Sequence, residues 1–109
     1  EPVFLLMDCL NGFFEDVYST SLAEDLLFAP HGGASAVWAS SGFTQEPPQA
    51  TMNQALMSAL AANPNQTLGQ AILKAKSGIT DDDVRRTWTL FGDPAMRLPI
   101  SALKSSRNK

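Results

Sequence analysis

The chain has 109 residues, a net charge of −3 at pH 7 and a sequence pI of about 4.9. Hydrophobic residues make up 44% and charged residues 17%, the balance of one small globular domain with a modest core. There is no basic stripe to neutralise phosphates, which argues against nucleic-acid binding. The longest apolar run, Val3–Met7, is far too short to span a bilayer.

The chain opens Glu1-Pro2 without an initiator Met, a charged leader or a signal-type apolar stretch, and so reads as a piece of a longer polypeptide. Its single cysteine, Cys9, excludes an internal disulfide, and one cysteine with one histidine, His31, makes no zinc-ligand set. No metal or cofactor is expected. Residues 1–100 read as the folded unit, and 101–109 as a polar, basic, frayed tail.

Val3-Phe4-Leu5-Leu6-Met7 is continuously apolar and runs into Asp8-Cys9-Leu10-Asn11-Gly12, which predicts a buried parallel strand over 3–8 ending in a turn. Phe13 and Phe14 follow, placed to pack at the strand end. Ser21-Leu22-Ala23-Glu24 is a capping box opening a helix whose apolar face carries Leu22, Leu26 and Leu27. That helix stops at Pro30, and His31-Gly32-Gly33 turns the chain into a second buried strand over 34–40. Strand, helix and strand make a βαβ unit with a right-handed crossover.

Ser41 to Gln49 reads as a polar loop holding Gly42 and Pro47-Pro48. From Thr51, the residues Met52, Ala55, Leu56, Ala59 and Leu60 recur at helical spacing. Asn63-Pro64-Asn65 breaks that helix. Thr67-Leu68-Gly69-Gln70 is a second capping box, with Leu68, Ala71, Ile72 and Ala75 as the face behind it. Asp81, Asp82 and Asp83 lack the spacing of a calcium loop and suit the start of a short helix. Thr87–Phe91 predicts a last strand joining the other two, with Trp38 and Trp88 in the core.

Cys9 is the residue with chemistry to offer. It sits just past the carboxyl end of a predicted parallel strand, where open α/β sheets bind ligands and project catalytic groups. On position alone two readings stand: an exposed nucleophile, or a thiol buried as a small hydrophobe. His31 cannot serve it. His31 enters the second strand at its amino end, so a strand length of roughly 15–20 Å separates the two, against a hydrogen-bonding reach of about 3 Å. Asp8 is no activator either, because a neighbouring carboxylate works against the thiolate.

The segment Val3-Phe4-Leu5-Leu6-Met7-Asp8-Cys9-Leu10-Asn11-Gly12-Phe13 resembles the nucleophile segment of gingipain-like cysteine peptidases, family C25. Four later stretches resemble the family in order: 21–24, 34–41, 52–56 and Thr87-Trp88-Thr89-Leu90-Phe91-Gly92-Asp93-Pro94-Ala95, the last being the most specific. The resemblance covers residues 3 to 98. It implies a caspase-like three-layer αβα sandwich, present in part, with a mostly parallel sheet. It also implies a cysteine endopeptidase with a Cys/His dyad, in which Cys9 is the nucleophile. The histidine would come from a His-Gly segment on the preceding strand, in the upstream half of the same polypeptide.

The resemblance further places the loop after the second strand against the substrate side chain, with Ser40 and Ser41 as hydrogen-bonding groups and Phe43 as an apolar wall. The substrate would be a peptide or protein, and the setting secreted or at a bacterial cell surface. The alternatives are a non-catalytic peptidase-like domain used for protein binding or secretion-system assembly, and a structural α/β module with Cys9 buried.

Overall fold

The structure, a computed structural model, describes residues 1–98. The predicted basic tail from Ser101 lies outside the described residues. Strand β1 spans Val3–Leu5, helix α1 Leu22–Phe28 and strand β2 Ala36–Ser40. Helices α2 (Glu46–Ala62), α3 (Leu68–Ser77) and α4 (Asp82–Thr87) follow, and strand β3 (Trp88–Phe91) closes the described fold.

The sheet order is β1-β2-β3, with β2 in the centre. Strand β1 pairs with β2 in parallel, Val3 opposite Ala36 and Leu5 opposite Trp38. Strand β3 pairs with β2 antiparallel, Ser40 opposite Trp88 and Val37 opposite Phe91. This corrects the expectation of a mostly parallel sheet; the described sheet is mixed. The reason is the helical hairpin that separates β2 from β3. One helix after a strand returns the chain to the rim where the strand began, and the next strand runs parallel. Here α2 and α3 form a helical hairpin, so the chain comes back to the rim where β2 ended. The Ser41 N–H donates to the Thr87 carbonyl at 2.9 Å there, and β3 has only one way to run.

Alternation along the strands feeds two separate cores, one on each side of the sheet. Ala36, Trp38, Trp88 and Leu90 face α2, α3 and α4, where Met52, Leu56, Leu60, Leu68, Ala71, Ile72 and Val84 close around them. Val37, Ala39, Phe4, Leu6 and Phe91 face α1, which covers them with Ala23, Leu26 and Leu27. Helices therefore flank both faces. All five residues of β2 are buried, as befits the middle strand of a sheet covered on two sides.

Both predicted capping boxes are formed. The Ser21 hydroxyl accepts from the Glu24 N–H at 3.3 Å while the Glu24 carboxylate accepts from the Ser21 N–H at 2.7 Å. Thr67 and Gln70 exchange the same pair of bonds at 3.2 and 2.8 Å. Asp81 caps α4 through the Val84 N–H at 2.9 Å, and Asp82 pairs with Arg85 at 2.7 Å, the capping role expected of these acids. On α1 the inward residue is Ala23, fully buried, whereas Leu22 is exposed, contrary to expectation. The cause is the Ala23 N–H, which donates to the Asn11 carbonyl at 2.9 Å and turns that side of the first turn inward.

Helix α2 begins at Glu46, five residues before the first position that the apolar spacing predicts. Pro47 and Pro48 occupy its first turn, where a missing N–H costs nothing because those donors have no intrahelical partner. In the core the Trp38 and Trp88 rings lie 5.8 Å apart, and the Lys76 ammonium sits 5.5 Å over the Trp38 ring. Partial burial draws the Lys76 ammonium below the ordinary lysine range. Among the described residues no helix is long and apolar enough to cross a membrane.

Candidate active site

Strand β1 does not stop at its last ladder residue. The Leu6 N–H still donates to the Trp38 carbonyl at 2.9 Å, and the chain then leaves the sheet until Gly12, whose N–H donates to the Ser40 carbonyl at 2.9 Å. Met7 to Asn11 thus form a turn standing on the carboxyl rim of β1 and β2, pinned at both feet to the central strand. Cys9 is at its crest, partly exposed, with Met7 and Asp8 exposed beside it. The thiol is not sealed in either core.

Two backbone features shape the turn. Leu10, directly after Cys9, has φ of 65°, in the left-handed region that costs an L-residue about 1–2 kcal/mol. Its carbonyl accepts from the Phe13 N–H at 3.1 Å, so the reversal is closed by a hydrogen bond. Asp8 turns back on its own chain, its Oδ1 accepting from the Cys9 N–H at 2.9 Å.

Gly12 is the second feature. A Cβ there would lie 2.8 Å from Phe91 Cε2 and 3.0 Å from Ala39 Cβ, so the foot of the turn rests directly on the α1-side core. Phe91 in turn meets Phe14 edge-on at 5.8 Å, so of the two aromatics expected to pack at the strand end Phe14 makes a ring contact, while both stay exposed. Gly12→Ala is expected to destabilise the fold by about 1–3 kcal/mol through overpacking. Urea titration checks it; an unchanged midpoint would show that Phe91 yields freely. Beyond Phe14 the Tyr18 N–H, and then the Ser19 hydroxyl, bond to Asp16 and hold its carboxyl below the usual range.

The turn forms one wall of a cleft of about 320 Å³ lined by Met7, Asp8, Cys9, Thr44, Glu46 and Gln49. A more apolar groove of about 380 Å³ continues from it along α2, sharing Met7, Glu46 and Gln49 and adding Ala50, Gln54 and Met57. Gln49 bridges the two walls. Its Nε2 donates to the Met7 carbonyl at 2.9 Å, and its Oε1 accepts from the Thr44 hydroxyl at 2.7 Å.

The other sequence-predicted residues sit differently. Ser40 is fully buried, and its hydroxyl donates to the Gly42 carbonyl at 2.9 Å with Thr87 Oγ1 3.2 Å away. Ser41 donates its N–H and its hydroxyl to the Thr87 carbonyl, at 2.9 and 3.1 Å. Both serines therefore fasten the loop to the start of β3 and do not line the cleft. Phe43 is 77% exposed at the top of that loop, next to the cleft residue Thr44.

Thr44, Glu46 and Gln49 are the cleft residues that sequence reasoning missed. The available signal was the Pro47-Pro48 pair, readable as helix-opening prolines that place Gln49 on a rigid element. His31 is exposed in the turn before β2, at the opposite rim, so the chain's one imidazole stays away from the thiol. Among the described residues no group of three or more His, Cys, Asp or Glu is placed to hold a metal ion.

The thiol is thus partly exposed on a strained turn at the carboxyl rim of the sheet, bordering a cleft. Comparison with known proteins gives this geometry a family. The chain is similar over 86% of its length to a solved complex of the pro- and mature domains of RgpB from Porphyromonas gingivalis, with a TM-score of 0.75 and 21% identity. It is similar over 89% of its length to the Arg-specific cysteine proteinase gingipain R (RgpB), with a TM-score of 0.68 and 25% identity. It spans 26% of the length of each. No curated protein matches the sequence. The family model of peptidase family C25 matches residues 1–99, and the chain belongs to that family.

Proposed function

We propose that residues 1–100 are the C-terminal part of the catalytic domain of a cysteine-type endopeptidase, with Cys9 as nucleophile. The observation that carries this is the position of the thiol at the crest of a turn bordering the cleft, in a chain matched to a peptidase family almost end to end. Helices on both faces of the sheet support a caspase-like αβα sandwich, of which this chain would supply part.

In this reading the Cys9 thiolate attacks the peptide carbonyl carbon and a C–S bond forms. The C–N bond then breaks, and the amine leaves with a proton from an imidazolium. Water, giving its proton to the same imidazole, hydrolyses the thioester and frees the thiol. The imidazole belongs to the upstream half of the same polypeptide. Strand β1 is paired on one side only among the described residues, and its other edge is open to a strand from that half. The substrate is a peptide or protein whose side chain lies toward the loop after β2. Phe43 supplies an apolar wall there, and Ser40 and Ser41 hold the loop in place through Gly42 and Thr87. A secreted or cell-surface bacterial setting goes with the family.

A peptidyl acyloxymethyl ketone tests the reading. Incubated with the full-length polypeptide, it is expected to add its acyl-methyl group to the peptide bearing Cys9, seen by mass spectrometry, as hydrolysis stops. Hydrolysis that stops with Cys9 unmodified would overturn it. No hydrolysis at all would favour the non-catalytic, protein-binding role. The 109-residue chain alone is expected to show no turnover.

A further inference from the structure

We propose that Gln49 is a positioning residue that fixes the Cys9 turn relative to the loop carrying Phe43, and so sets both rate and side-chain preference. The proposal rests on the reading of Cys9 as nucleophile.

The orientation of the Gln49 amide is settled by chemistry. The Met7 carbonyl only accepts, so the atom 2.9 Å from it must be the Nε2 donor, which leaves Oε1 to take the Thr44 hydroxyl at 2.7 Å. One side chain thereby holds the backbone two residues before the thiol and the side chain one residue after Phe43. It spans the cleft at the boundary between the 320 Å³ and 380 Å³ spaces, lining both.

Its own backbone is held in turn. The Gln49 N–H donates to the Gln45 carbonyl at 3.2 Å in the first turn of α2. Its carbonyl accepts from Asn53 Nδ2 at 3.0 Å, and the Oδ1 of that buried asparagine accepts from the Trp38 indole N–H at 3.3 Å. A polar chain thus runs from the fully buried Trp38 through Asn53 and Gln49 to the two walls of the cleft. This polar chain is buried at Trp38 and Asn53, part-buried where Gln49 meets Asn53 and Thr44, and exposed where it reaches Met7. A satisfied polar network anchored in the core specifies a single arrangement rather than adding much stability. That is the property a nucleophile needs, since a misplacement of about 1 Å can cost on the order of a hundredfold in rate.

The test uses the full-length polypeptide and a peptide series varied at the residue before the cleaved bond. Gln49→Met keeps length and removes both hydrogen bonds. It is expected to lower kcat by about 10- to 100-fold with KM within about threefold, and to flatten the preference across the series. Gln49→Glu keeps an acceptor for Thr44 and loses the donor to Met7. It is expected to lower kcat similarly while keeping the wild-type preference. Thr44→Val, which removes only the other bond and covers the case in which Gln49→Met does not fold, is expected to flatten the preference across the series.

A folded Gln49→Met or Gln49→Glu enzyme with wild-type kcat and preference overturns the proposal, as does an unchanged preference in Thr44→Val. If those variants are unchanged while Cys9→Ala is inactive, only the role of Gln49 falls. If Cys9→Ala retains activity, both readings fall.

Discussion

Cys9→Ala in the full-length polypeptide is expected to lower kcat/KM for peptide hydrolysis by about ten-thousand- to a million-fold, leaving the thermal midpoint nearly unchanged. Covalent catalysis has no partial form: without Sγ there is no acyl intermediate, and removing a nucleophile costs on the order of these factors in enzymes that act through one. No other group at the cleft can replace it. The Thr44 hydroxyl is committed to Gln49, and the remaining polar neighbours, Asp8, Glu46 and the Gln49 amide, are not peptidase nucleophiles in this setting. The fold loses little because the thiol is partly exposed and belongs to neither core. Activity within tenfold of wild type would sink the assignment.

Trp38→Ala carries the largest expected cost in stability, about 3–5 kcal/mol, against a total of about 5–15 kcal/mol for a domain. Trp38 is fully buried at the centre of the middle strand, packed on Trp88 and bonded through its indole N–H to Asn53. Its replacement opens a cavity under α2 and α3 and leaves the buried Asn53 Oδ1 without its donor. Trp88, equally buried, has an indole N–H with no acceptor among the described residues. Trp88→Phe therefore removes a donor that burial already penalises by about 1–3 kcal/mol, offsetting the lost ring volume. Trp38→Phe has no such offset. Urea denaturation should rank Trp88→Phe as the milder of the two; the reverse order would contradict this account.

Much of the fold was readable because its rules are local. The Ser21/Glu24 and Thr67/Gln70 boxes are matters of three-residue spacing, and both form. The stripe Leu68, Ala71, Ile72 and Ala75 repeats with the helix, and all four residues are buried. The apolar runs predict buried strands over 3–8 and 34–40; β2 (Ala36–Ser40) is fully buried, whereas β1 (Val3–Leu5) is shorter and half-buried at the edge of the described sheet. What resisted reading was the geometry that depends on parts far apart in the chain. The direction of β3 follows from the hairpin of α2 and α3, which brings the chain back to the rim where β2 ended, and no property of Thr87–Phe91 reveals that. Leu22 looks like a core residue until Asn11 claims the neighbouring N–H.

The site divides in the same way. Cys9 was visible as a lone thiol after an apolar run, and its place at the rim follows from strand direction. Ser40 and Ser41 were placed on the correct rim, but their hydroxyls answer to Thr87, some 46 residues later in the chain. Gln49 was hidden because the prolines before it suggested a loop, whereas they open the helix that aims it. Side-chain partners across such distances are a result of packing and leave no periodic trace.

The hairpin of α2 and α3 departs from and returns to a single rim, closed there by the bond between Ser41 and Thr87. Everything between those residues is an excursion with fixed ends, and its far bend, near Asn63–Gln66, lies at the opposite pole from the thiol. That bend is tied in turn to the segment after β3, the Arg97 guanidinium donating to the Asn65 carbonyl at 2.8 Å and the Leu68 N–H to the Met96 carbonyl at 2.8 Å, so the excursion is clasped at its far end as well as at its feet.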